Sequence, residues 1–198
     1  MSGVSSWLLT VGGWNGGVLN TCEKYSVDRN KWEALAPLIT PRMWSGSILL
    51  KSRRAMCFCG TQGNVEVNSI EKIELETESE WKALPRNEEI AQTGQLAAVS
   101  FHNKIALFGG IDHASFNMYI LSEDGGLEQD LSSDPLIPGG MNQGTYLVKK
   151  GHIYAVGWRK LGNEEKWRAK AFNGKFWNII DPSKPTRPCW LSLHEPDE

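Results

Sequence analysis

An all-β fold is expected for this chain of 198 residues, on three observations. Short apolar or alternating runs end repeatedly in glycine, tryptophans keep step with them, and no segment carries the apolar stripe of an amphipathic helix. The first run, "WLLTVGG", ends at Gly13, "RAMCFCG" at Gly60 and "KIALFGG" at Gly110, while "HIYAVGW" carries Gly157 and Trp158 at the matching place. Tryptophan follows in "NKWEAL" (Trp32), "SEWKAL" (Trp81) and "GKFWNII" (Trp177), and Leu127 stands where the third copy should have one. The spacing is about fifty residues. A period of that length built of strands reads as a β-propeller with one sheet per repeat.

The elements can be placed in order. Repeat one shows strands at 8–13, 22–27 and 31–35, with "DRN" as a turn; only six residues precede "WLLTVGG", so its first strand is missing. Repeat two reads as strands at 45–50, 55–60, 69–75 and 80–84, and repeat three at 96–101, 104–110, 116–122 and 126–131. Repeat four reads as 144–149, 152–158, 166–172 and 175–180, with the hairpin signal Asn173-Gly174. The repeats are bounded at about 7–38, 43–85, 95–135 and 144–182, within a propeller of residues 1–193 followed by a polar tail, 194–198.

The glycines need a reason. Gly12-Gly13 and Gly16-Gly17 follow a strand, as a phosphate cradle does, but a cradle opens a helix. Here "TCEKYSV" alternates as a strand, so the glycines are assigned to close approach at strand ends and to a turn. Trp32, Trp81 and Trp177 are expected to be buried as apolar plates between or within the sheets.

With these residues in view, "LLTVGG…EKYSVDRNKWEAL" resembles a kelch repeat: an apolar strand, a glycine doublet, then Tyr25 seven residues before Trp32. The second repeat has Ile73 for the tyrosine and Cys59-Gly60 for the doublet, the third keeps Gly109-Gly110 and Tyr119, and the fourth keeps Trp177. The resemblance implies a kelch-type β-propeller with four four-stranded blades in this chain. Kelch rings usually have six or seven blades. Three alternatives follow: closure by a C-terminal strand in the segment 187–193 ("CWLSL", 189–193), a ring finished by another chain, or a truncated gene product.

Composition excludes several functions. A net charge of −2 offers no attraction to nucleic acid or an anionic membrane. No apolar stretch approaches a membrane span and no signal peptide is evident. Four cysteines form no disulfide framework, which favours buried thiols in a reducing compartment, so a cytoplasmic protein is expected, including a cytoskeletal or ciliary setting. No metal ligand spacing, catalytic triad or cofactor motif is found, so no catalytic, cofactor or metal residues are assigned.

Strand order puts the loops 14–21, 61–68, 111–115 and 159–165 on one face with the blade connections 36–44, 85–95, 132–143 and 181–188. Long loops on a rigid scaffold form the default binding surface. The candidate partner-binding residues there are Trp14, Asn15, Arg42, Trp44, His113, Trp158, Arg159 and Arg187, the arginines suiting an acidic group. "KSRR" at 51–54 is read as a charged hairpin tip on the opposite face. The expectation is a non-enzymatic kelch propeller, an adaptor or scaffold binding a protein or peptide on the long-loop face. The alternative is a kelch-like enzyme acting on a sugar or small molecule.

Overall fold

The computed structural model describes residues 7–77, 79–85, 90, 96–109, 117–131, 142–161, 164–175 and 177–180. The chain forms two compact units, Met1–Gly139 and Gly140–Glu198. Among the described residues there is no helix, and the strands form antiparallel sheets.

The first unit begins with β1 (Trp7–Trp14), β2 (Val18–Ser26) and β3 (Lys31–Leu35), which form sheet 1. Then come β4 (Gly46–Leu49) and β5 (Arg54–Phe58), a short hairpin of β6 (Thr61–Gln62) and β7 (Val65–Glu66), and β8 (Ile70–Glu74) and β9 (Lys82–Ala83). Sheet 2 has the order β4-β5-β8-β9. Sheet 3 consists of β10 (Ala97–Phe101), β11 (Lys104–Gly109), β12 (Asn117–Leu121) and β13 (Leu127–Asp130). The second unit is sheet 4, made of β14 (Asn142–Lys149), β15 (His152–Leu161), β16 (Glu164–Phe172) and β17 (Trp177–Ile180).

Every strand expected from the sequence up to 180 is present. The largest differences are that β2 begins at Val18 rather than 22, that β15 runs on to Leu161 rather than ending at 158, and that the loop expected at 61–68 carries the β6–β7 hairpin. Among the described residues sheet 1 has three strands, the number read from the sequence. Among the described residues the four sheets are open, and the proposed closing strand at 187–193 lies outside those residues.

Two cross-strand rows explain how the sheets stack. The first is Leu8, Tyr25 and Trp32 in sheet 1, and Ala55 and Ile73 leading to Trp81 in sheet 2. In sheet 3 it is Ile105, Leu121 and Leu127, and in sheet 4 Ile153, Phe172 and Trp177. Three positions along each strand, on the opposite face, lies a second row. Its members are Val11, Cys22 and Leu35 in sheet 1, and Phe58 and Ile70 leading to Leu84 in sheet 2. Phe108 and Met118 hold it in sheet 3, and Val156, Ala169 and Ile180 in sheet 4.

Sheets 1 and 2 meet second row to first, with Val11, Cys22 and Leu35 packed in one cluster with Ala55, Ile73 and Trp81. Sheets 2 and 3 repeat that contact, Phe58, Ile70 and Leu84 clustering with Ile105, Leu121 and Leu127. Trp81 is the plate of the first contact; its indole Nε1 donates a 2.8 Å hydrogen bond to the Ala36 carbonyl at the end of sheet 1. Trp177 is buried as well. Trp32 departs from the expectation, being 48 % exposed, with the Tyr25 ring beside it at 5.1 Å between centroids. Its row faces away from sheet 2, and among the described residues no sheet precedes the first.

The strand-end glycines are required by a backbone crossing. Gly12 has φ of +61°, and a Cβ there would lie 2.5 Å from the Arg42 carbonyl oxygen; Gly60, φ +108°, would meet Met43 O at 2.7 Å. In both places the connection between sheets 1 and 2 runs directly over the strand end. Gly16 and Gly17 meet nothing within 4 Å and serve only the turn between β1 and β2. Gly12→Ala is therefore expected to cost about 2–3 kcal/mol, combining a left-handed conformation with a backbone clash. Gly17→Ala is expected to change stability by less than about 0.5 kcal/mol, and urea titration of the two variants measures the contrast.

Candidate functional site

One end of the first unit is built from three segments laced by backbone hydrogen bonds. Gly13 N donates to Arg42 O at 2.9 Å and Arg42 N to Leu19 O at 3.0 Å, joining the β1–β2 hairpin to the 36–45 connection. Met43 and Thr61 exchange two bonds of 2.8 Å, joining that connection to the β6–β7 hairpin. On this frame Trp14 is 66 % exposed, Trp44 54 % and Val65 66 %, and Ile39, in the same connection as Trp44, is exposed too. Trp44 has φ of +55°, an uncommon state for a bulky residue, held while its carbonyl accepts a hydrogen bond from Leu96 N at 3.2 Å.

Arg42 is not part of this surface, contrary to the sequence expectation. It is fully buried and ion-paired with Glu71, itself buried. Its Nε donates to Thr40 O at 3.2 Å, its Nη1 to Cys59 O at 3.1 Å and Ser69 O at 2.7 Å, and its Nη2 to Ser69 Oγ at 2.8 Å. Glu71 in turn accepts hydrogen bonds from Ile39 N at 2.7 Å and Thr40 N at 3.1 Å. The pair staples β8 to the connection and has no donor left for a partner. Beside it, burial pushes the Cys57 and Cys59 thiols up to about 11, although the Arg42 charge pulls the other way. Cys22, Cys57 and Cys59 are free and buried, as the composition implies.

With Arg42 inside, the described part of this end is nearly uncharged. Among residues 14–20, 36–45 and 61–69, Glu66 is the one exposed ionisable residue. The other expected residues divide. Trp14, Asn15 and Trp44 lie on this end and are exposed. Trp158 and Arg159 do not stand in a loop, because β15 and β16 pair through Trp158↔Trp167, Arg159↔Lys166 and on to Leu161↔Glu164. Likewise 14–21 is mostly strand, the turn being residues 15–17. His113 and Arg187 lie outside the described residues.

Two exposed residues were not singled out from sequence. Val65 had a signal, since Gly63-Asn64 between short strands is hairpin chemistry. Ile39 had none, because its neighbour Leu38 is buried and the connection has no period.

At the opposite end, "KSRR" is a hairpin tip, as read from sequence. Arg54 pairs with Glu74, and bonds Asp124 and the Glu123 carbonyl, each at 2.9 Å. Arg53 lies over the Trp7 ring, 4.2 Å from its centroid. A depression of about 170 Å³ beside Trp7 is lined by Lys24, Ser26, Asp28, Arg29 and Glu33. That is smaller than the roughly 300–1,000 Å³ of sites enclosing a drug-sized ligand. Among the described residues no three His, Cys, Asp or Glu side chains gather as a metal site needs.

Residues 8–39, which are sheet 1 and the start of its connection, match the family model of the Kelch motif. The first repeat is a kelch motif. No curated protein matches the chain. The kelch doublet is here the pair Gly12-Gly13, where the first glycine lets the Arg42 carbonyl pass and the second donates to it. Sheets 2, 3 and 4 follow the kelch repeat of sheet 1 in strand order and in the position of their first row.

Proposed function

We propose that this kelch-repeat chain is a non-enzymatic adaptor or scaffold that binds a protein or peptide on the end carrying Trp14, Ile39, Trp44 and Val65. The observation that carries this reading is the set of exposed apolar side chains on a hydrogen-bonded frame, where none of them contributes a buried core contact. Exposed tryptophan held on a rigid scaffold is typical of an interface anchor. Kelch propellers commonly serve as binding scaffolds, which agrees with it. With Arg42 internal, the favoured ligand is an extended segment presenting apolar side chains rather than an acidic one. Three free buried thiols suit a reducing, cytoplasmic setting.

The test begins with affinity capture and continues with titration of the captured partner's binding segment. Trp14→Ala and Val65→Ala should each weaken binding, Trp14→Ala by about thirtyfold, the size of a hot-spot loss. Trp44→Asn is the third variant, since asparagine tolerates the left-handed backbone. Melting temperatures should stay near that of the unaltered chain. Binding that survives all three changes but is lost on Lys51→Glu would move the site to the opposite end.

A further inference from the structure

The β15–β16 hairpin of sheet 4 runs on past the strands beside it. Among the described residues β14 pairs with β15 no further than Trp158, and β17 reaches β16 only from Ala169 onward. Residues 159–161 and 164–168 therefore form a part of the hairpin that neither flanking strand joins. Alternation sorts this part by face. One face holds Arg159, Lys166 and Arg168, in line with Lys170, against a single carboxylate, Glu164. The other holds the Trp158↔Trp167 pair, with Lys160 opposite Glu165. Positive charge is thus concentrated on one face of a chain whose net charge is −2.

Two features of that face favour an anion. Arg159 stands directly opposite Lys166, and like charges at opposed positions of an antiparallel pair are destabilising. A carboxylate set between the two replaces that repulsion with two charge-assisted hydrogen bonds. The next pair on the same face is Gly157↔Arg168. A glycine inside a strand marks a place where another backbone can come close, because no side chain stands over it. Lys166 and Arg168 are two residues apart in one strand, a rise of about 6.5 Å, which is also the spacing of alternate residues in an extended peptide.

We propose that this face binds an extended acidic segment of a partner protein, with carboxylates at alternate residues meeting Arg159, Lys166 and Arg168. A single-stranded nucleic acid suits it less, because the tryptophans on which bases would stack are on the other face. The surface is separate from the Trp14 end, so it stands or falls independently of the binding role.

Titration of the full chain with an alternating glutamate–serine decapeptide, a peptide of the same composition in two blocks, and oligothymidylate tests it. The alternating peptide should bind most tightly, and less so as salt is raised. Lys166→Glu should weaken that binding about tenfold, through lost attraction and new repulsion. Its melting temperature should hold or rise, since Arg159 then faces a glutamate. Lys160→Glu makes the same change of charge on the opposite face and should leave binding nearly unaltered. Arg168→Gln repeats the test without introducing a negative charge. Equal losses from Lys166→Glu and Lys160→Glu overturn the proposal. So does equal binding of the two peptides, tighter binding of oligothymidylate, or an alternating peptide that does not bind.

Discussion

Arg42→Ala is expected to lower folding stability by about 3–5 kcal/mol, the range for removing one partner of a buried ion pair. Glu71 would be left with an uncompensated charge in the interior, since both side chains are essentially inaccessible to water. The carbonyls of Thr40 and Cys59 would lose the guanidinium donor at the same time, and that of Ser69 would keep only Cys59 N. Arg42→Lys should fail as well, because an ammonium cannot reproduce the planar fork that spans these acceptors. The double change Arg42→Met, Glu71→Leu should recover only part of the loss. It removes the charge, but Ile39 N and Thr40 N then lack the acceptor that Glu71 provides. Chemical denaturation of the three variants measures this order. An Arg42→Ala variant melting with the unaltered chain would show that the guanidinium is not held inside.

The second large effect is at Trp81. Trp81→Ala is expected to cost about 3–5 kcal/mol, the range for truncating a buried aromatic residue. The indole fills the joint between sheets 1 and 2 and donates to the Ala36 carbonyl, so both a cavity and an orphaned acceptor result. The same change at Trp32 removes a ring that is half in solvent, and should cost less than about 1 kcal/mol. Equal losses at both positions would mean that Trp32 is buried.

The contrast between these two tryptophans marks where sequence reasoning stops. Both follow a strand-and-glycine run at a similar spacing, and both are followed at once by a charged residue, an alanine and a leucine. Nothing local distinguishes them. Their burial differs because burial is a property of what faces the sheet: sheet 1 faces Trp81, whereas Trp32 lies on the face of sheet 1 turned away from sheet 2 and is half exposed. Arg42 is a similar case. Within "TPRMW" it reads as a surface arginine in a polar connection, and its partner Glu71 is 29 residues on, in a strand whose alternation gives no sign of a buried charge. The exposed Trp14 and Trp44 were legible because strand order alone assigns chain ends and connections to one side.

Strand positions, the fourfold repeat and the need for glycine at strand ends were therefore written into the chain. Each depends on backbone geometry within a few residues: alternation, turn chemistry, and a conformation other residues resist. The identity of the atom that makes Gly12 indispensable, the Arg42 carbonyl, came only with the folded arrangement. So did the inward turn of Arg42, the extension of β15 through Arg159, and the exposure of Trp32. These are contacts between segments tens of residues apart. Their free energy comes from desolvation and close packing of surfaces that the linear order of residues does not bring into view.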